Sequence, residues 1–173
     1  MKIKLLMVTS VDGKSTKGNK SPQEWASKED LEYFLKTSRS NNLIVMGSKT
    51  YEARKSGIKP YPNRLKIILT RNPKKYIKYS IPSQLEFVNE SPLVLVRKLE
   101  KKGYKEMLLI AGETLSSEFL KLNLITDLWL TIEPVIFGKG RGLIKNENFD
   151  IKLQLISVER FNEQGTLLLK YAL

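Results

Sequence analysis

The 173-residue chain carries 30 Lys and Arg against 18 Asp and Glu, a formal charge of +12, and 41% hydrophobic residues, which fits one domain with a full core. With neither cysteine nor histidine it excludes disulfides, thiolate nucleophiles, the usual zinc sites and imidazole general bases, leaving proton transfer to carboxylate, lysine, tyrosine or water. The positive charge suits a phosphorylated cofactor or a nucleic acid, and because the lysines are spread along the whole chain a dedicated nucleic-acid surface is the lesser expectation. No apolar run reaches the roughly 18–20 residues of a membrane helix, and the amino terminus lacks the pattern of a secretion signal, so a cytoplasmic protein is expected.

Ile3-Lys4-Leu5-Leu6-Met7-Val8 is long and apolar enough for a buried strand, and Thr9-Ser10-Val11-Asp12-Gly13-Lys14 reads as the turn that ends it. Asp12 can cap this turn or order the loop beyond; the turn is the simpler role. The polar, glycine-containing stretch from Gly13 to Gln23 reads as a mobile loop over a site. Ser27-Lys28-Glu29-Asp30 fits a helix capping pattern, and the helix is expected through Leu31, Phe34 and Leu35 to about Ser38. Leu43-Ile44-Val45-Met46 is a short apolar strand that meets Gly47-Ser48-Lys49-Thr50 at a second helix start.

Beyond a loop with Pro60 and Pro62, Leu65 to Leu69 form a third apolar strand, stopping at Thr70-Arg71-Asn72-Pro73. An arginine beside a hydroxyl at a strand end suits a phosphate monoester through paired charge-assisted hydrogen bonds; a solvated loop arginine is the alternative. Ser91-Pro92 reads as the cap and first residue of a helix stopped by Gly103. Met107 to Ile110 is then a strand, and Ala111-Gly112-Glu113-Thr114-Leu115 turns into a helix that sends Leu115, Phe119 and Leu120 toward the core. A helix start offers unpaired backbone N–H groups to a phosphate, although a tight strand-to-helix turn favours glycine for its shape alone.

From Asp127 the pattern changes. Leu128 to Phe137 is extended, Gly138-Lys139-Gly140-Arg141-Gly142 is a flexible basic loop, and Leu153, Leu155 and Val158 pair across a turn at Gly165 with Leu167, Leu169 and Tyr171. These elements predict an α/β domain over residues 1–173, with a mostly parallel sheet and an antiparallel C-terminal hairpin. The strand ends at Gly47 to Thr50, Thr70-Arg71 and Ala111 to Leu115 converge on one sheet edge, where such sheets bind nucleotides.

On these residues the chain resembles the superfamily of dihydrofolate reductase and the riboflavin-biosynthesis pyrimidine reductases over nearly its entire length. Val45-Met46-Gly47-Ser48-Lys49-Thr50-Tyr51-Glu52 and Pro62-Asn63-Arg64-Leu65-Lys66-Ile67-Ile68-Leu69-Thr70-Arg71 are similar to the dihydrofolate reductase pattern, as are Trp25, Asp30 and Thr131 to its tryptophan, catalytic acid and the threonine beside that acid. Ser10-Val11-Asp12-Gly13-Lys14 and Glu133-Pro134-Val135-Ile136-Phe137-Gly138-Lys139-Gly140 are similar to the pyrimidine reductases. The resemblance implies the three-layer dihydrofolate reductase-like fold and a reductase using NADPH. It places Val8, Thr9, Gly47, Thr50, Thr70 and the Ala111, Gly112, Glu113, Thr114, Leu115 turn along the cofactor, with Arg71 near its 2′-phosphate.

Two departures stand out. Ile110 occupies the position where the pyrimidine reductases carry a glutamate, and Ala53-Arg54-Lys55-Ser56-Gly57 replaces the segment that holds their ribose phosphate, leaving Arg39 and Lys55 as candidates for that grip. Asp30 is the acid suited to proton supply, with helix capping as its other role. Trp25 can border the nicotinamide or fill the core, and Thr131 can partner Asp30 or simply suit a strand. The expectation is an NADPH-dependent reductase resembling 5-amino-6-(5-phosphoribosylamino)uracil reductase, acting on a pyrimidine- or pterin-type small molecule. Dihydrofolate reduction is the alternative among enzymes, and a non-catalytic basic nucleotide- or nucleic-acid-binding module the alternative of another class. A homodimer through the strand around Trp129 and Phe137 is a further expectation.

Overall fold

The computed structural model describes residues 1–54 and 57–173. Eight strands form one sheet: β1 (Lys2–Ser10), β2 (Leu43–Gly47), β3 (Leu65–Leu69), β4 (Leu85–Val88), β5 (Glu106–Ile110), β6 (Asp127–Glu133), β7 (Gln154–Arg160) and β8 (Leu167–Ala172), in the order β4-β3-β2-β5-β1-β6-β8-β7. The first six are mutually parallel, and β8 runs antiparallel to both β6 and β7. The expected architecture is therefore present, with its antiparallel part confined to the C-terminal end.

Side-chain alternation makes the sheet double-sided. In β2, Leu43 and Val45 join a core with Leu95, Leu99 and Phe119, whereas Ile44 and Met46 join Tyr51, Ile68 and Tyr76 on the other face. The first core is covered by α3 (Pro92–Lys101) and α4 (Glu113–Lys121), which supply Leu95, Leu99 and Phe119. On the second, α1 (Lys28–Ser40) supplies Tyr33 and Phe34, and α2 (Ser48–Arg54) supplies Tyr51. Three layers result. Because the chain lays down β2, β3 and β4 outward and then returns to insert β5 between β2 and β1, the carboxyl ends of β2, β5 and β1 flank the crevice where strand order reverses.

Several expectations need correction. Between Pro73 and Ser91 the sequence reading found no element, yet a 3-10 turn at Pro73–Tyr79 leads into β4, whose Leu85 is buried beside Ile68. The extended segment stops at Glu133 rather than Phe137, after which Asp12 accepts hydrogen bonds from the amides of Phe137 and Gly138 at 3.1 and 2.7 Å. Asp12 thus orders the loop as well as closing its own turn, where the Ser10 hydroxyl donates to it. That hydroxyl and the two amides lower its pKa to about 2.

The Gly13 to Gln23 stretch is likewise fastened rather than free. Lys14 bridges to Gly142, and the Arg141 amide donates to Thr16 Oγ1 at 2.9 Å. Gly140 passes so close that a Cβ there would lie 1.9 Å from the Thr16 carbonyl oxygen. Finally, Trp129 and Phe137 each have partners within the chain. Trp129 is flanked by the ammonium groups of Lys4 and Lys170, and Phe137 packs on Trp25. Uncovered apolar surface lies on the edge strand β7, where Leu155 and Val158 are 52% and 54% exposed, and beside Phe137, where Ile136 is 76% exposed.

Candidate active site

A cavity of about 1050 Å³ lies over the carboxyl ends of the parallel strands. One half of it is built largely from backbone turns. β2 ends at Gly47, β5 runs into Gly112, and β3 stops before Thr70 and Arg71, all in the cavity wall. With neighbouring strands about 5 Å apart, these ends span on the order of 10 Å. Gly112 is the N-cap of α4 and contributes no side chain to cap it, so the first-turn amides are left for a ligand. A Cβ at Gly112 would meet nothing within 4 Å. Lys49, Arg71, Arg141 and Lys145 line the same half without an ion pair among the described residues. Unpaired cations, open amides and the hydroxyls of Thr50, Thr70 and Thr114 form a donor set suited to a phosphorylated dinucleotide.

Glu113 does something else. Its Oε2 accepts the Gly142 amide at 3.1 Å, fastening the glycine loop to the start of α4.

The other half is built from side chains of distant segments. Ser27 caps α1, and its Oγ accepts the Asp30 N–H at 3.2 Å. In a reciprocal capping box the acidic side chain would return to the N-cap amide. Here that amide donates to Glu133 Oε1 at 2.8 Å, and the Asp30 carboxyl lines the cavity. The capping role available to Asp30 is thus taken by Glu133. Asp30 is only 8% exposed, and desolvation, reinforced by the nearby Glu133 charge, pushes its pKa up to about 6; the Thr131 hydroxyl and the Arg54 charge act the other way. Thr131 is fully buried and faces Asp30 without a well-aligned hydrogen bond, so the pair is loose.

Glu133 is itself 4% exposed and is held twice, by the Ser27 amide and by the Thr166 hydroxyl at 2.7 Å. Asn162 extends the network, donating to Thr166 Oγ1 and to Glu29 Oε2 at 3.0 and 3.1 Å. The start of α1, the end of β6 and the β7–β8 turn are thereby locked together behind the acid.

The RibD C-terminal domain family model matches residues 1–167. The chain belongs to that family. A putative riboflavin biosynthesis protein from Shewanella shares the RibD-type fold with a TM-score of 0.77 at 18% identity, over 99% of this chain and 98% of that one. A Thermotoga maritima diaminohydroxyphosphoribosylaminopyrimidine deaminase/5-amino-6-(5-phosphoribosylamino)uracil reductase superposes equally well, with a TM-score of 0.77 at 16% identity, over 99% of this chain and 56% of its own. In sequence, the uncharacterized protein YyaP of Bacillus subtilis is 31% identical over 54% of this chain and 52% of its own length. The dihydrofolate reductase of Aedes albopictus is 31% identical over 53% and 56%. The chain spans about half the length of these curated relatives. Family membership makes the domain reductase-like, and no helix among the described residues is long and apolar enough to cross a membrane.

Within the RibD-type domain the residues singled out from sequence divide. Asp30, Val8, Gly47, Thr50, Thr70, Arg71, Ile110 and the whole Ala111 to Leu115 turn line the one cavity. Thr9 does not, being buried at the end of β1. Trp25 stands outside the wall, edge-on to Phe137 at 4.9 Å between ring centroids. Thr131 lies behind the wall, and Arg39 lines a separate hollow at the far end of α1 with Glu32 and Lys36. Lys55 lies outside the described residues. Two residues of the site went unrecognised. Arg54 reaches the cavity beside Asp30 from the end of α2, and Glu133 backs the acid; the alternation of Thr131 with Glu133 two residues on was the signal for the latter.

Proposed function

We propose that the chain is an NADPH-dependent reductase acting on a pyrimidine-type small molecule of the kind reduced by 5-amino-6-(5-phosphoribosylamino)uracil reductase. The observation that carries this reading is the Asp30 carboxyl, freed from its capping role, buried, and sharing a cavity with three phosphate-suited strand ends. When bound, NADPH supplies the hydride. The residues that would hold it are Gly47, Thr50, Thr70, Arg71 and the Gly112 to Leu115 turn, with the α4 amides and Arg71 taking phosphate charge. With a pKa near 6, Asp30 holds its proton in about half of molecules at pH 6 and about a tenth at pH 7, and can give it to a ring nitrogen or oxygen of the substrate. Ile110 contributes an apolar wall that helps exclude water from the reacting atoms.

Dihydrofolate reduction is the second reading, favoured by the curated dihydrofolate reductase relatives and by the Asp30–Thr131 pair. NADPH oxidation by the purified chain, offered the ribosylaminopyrimidine phosphate and dihydrofolate in parallel, tests the two. Turnover of the pyrimidine supports the first, turnover of dihydrofolate alone moves the chain to the second, and absence of NADPH binding removes both. The uncovered apolar strand β7 supports a homodimer through that edge, which sedimentation at micromolar concentration tests.

A further inference from the structure

Arg54 is the last residue of α2 and lines the cavity that holds Asp30. Its guanidinium carbon lies 4.0 Å from the centroid of the Phe34 ring. Among the described residues it makes no hydrogen bond and no ion pair, although a guanidinium offers five N–H donors. Burial pulls its pKa down and the Asp30 charge pushes it back up, and a guanidinium stays protonated throughout. A partly desolvated cation with unused donors is costly unless something completes it. A cation–π contact uses none of its hydrogen-bond donors, so the N–H groups that no described residue engages remain free for the forked hydrogen bonds that carboxylates and phosphates accept. The guanidinium also occupies the face of the Phe34 ring that it lies over, withholding that face from a flat aromatic group.

On the reductase reading above, we infer that Arg54 is the receptor for an oxyanion carried by the substrate, a phosphate monoester or a carboxylate. By covering Phe34 it also discriminates against substrates that place a neutral aromatic extension there. The substrate therefore presents a protonatable heterocyclic edge to Asp30 and an anionic group to Arg54.

Calorimetric titration of the full chain saturated with NADP+ tests this with two pairs of ligands: 5-amino-6-(5-phosphoribosylamino)uracil against its dephosphorylated counterpart, and orotate against uracil. Wild type is expected to bind the anionic member of one pair about 30-fold more tightly, the first pair identifying a phosphate and the second a carboxylate. Arg54→Gln and Arg54→Leu are each expected to reduce that discrimination to about threefold or less, with thermal melts confirming that both variants fold. No discrimination by wild type in either pair, or discrimination that survives in Arg54→Leu, overturns the inference. Charge discrimination without NADPH oxidation would keep the receptor and remove the reductase; pyrimidine turnover without charge discrimination would do the reverse.

Discussion

The two halves of the cavity are made by different means. The half formed by Gly47, Thr70, Arg71 and the Gly112 turn comes from short contiguous segments, each a strand end with the turn directly after it, and backbone amides make up much of the recognition surface. The half around Asp30 draws single side chains from α1, α2 and β6, and its chemistry depends on their mutual fields. A phosphate site can be assembled from local chain geometry; an acid with a raised pKa needs burial and charges set by tertiary packing.

Replacing the acid separates the halves most strongly. Asp30→Asn is expected to lower pyrimidine turnover by about 100-fold or more while leaving NADPH affinity within about twofold. It is also expected to stabilise the protein. Because folding raises the Asp30 pKa from 3.8 to about 6, the native state binds more protons than the unfolded chain in that window, so stability falls as pH rises through it. The full penalty, about 3 kcal/mol, persists above pH 6. Denaturant unfolding should therefore show Asp30→Asn more stable than wild type at pH 7.5, with the gap closing toward pH 3.5. A variant that is less stable at pH 7.5 would mean the carboxyl is not held in its raised-pKa state.

Arg71→Ala is the reciprocal test. Loss of charge-assisted hydrogen bonds to a phosphate, worth about 1.5–3 kcal/mol, should weaken NADPH binding about 10- to 100-fold by fluorescence titration. The pH at which turnover breaks should stay where it is, since Arg71 is not among the groups that shift Asp30.

Glu133 and Arg54 sharpen the comparison from within the acid half. Glu133→Gln keeps an acceptor for the Ser27 amide but removes a negative charge that raises the Asp30 pKa, so the fall of activity with pH should begin below about 6. Arg54→Gln removes a positive charge that lowers the same pKa, and the break should move the opposite way. Shifts in the same direction for both would contradict the electrostatic origin of the acid. Gly112→Ala has the smallest expected effect: unchanged melting, because a Cβ there meets no protein atom, and NADPH affinity reduced severalfold because the methyl group approaches bound phosphate.

Legibility in the sequence divides along the same line. Strands with alternating or continuous apolar residues and glycine-terminated turns were readable because their determinants lie within a few residues, as for Leu43 to Gly47 and Met107 to Gly112. β4 was not, since Leu85 to Val88 is short and half-exposed, and its strand character comes from pairing with β3. Asp30 was visible as an acid but not as a free one. Its release depends on Glu133, more than 100 residues away, reaching the Ser27 amide first. The surroundings of Trp25 were hidden for a related reason: its neighbour Phe137 is brought in by the Asp12 latch, a contact between loops 125 residues apart. The hairpin of β7 with β8 was legible, but the exposure of β7 at every position was not, because alternation reports two faces without saying which is covered.

The most direct test of the divided cavity is the pH dependence of pyrimidine-dependent NADPH oxidation at saturating NADPH, from pH 5 to 8.5, in wild type and Asp30→Asn. Wild-type turnover should be highest below about pH 6 and fall tenfold per pH unit well above it, over a small pH-independent rate in the variant. Turnover that ignores pH across this range, or that survives intact in Asp30→Asn, would contradict the assignment of Asp30 as the acid.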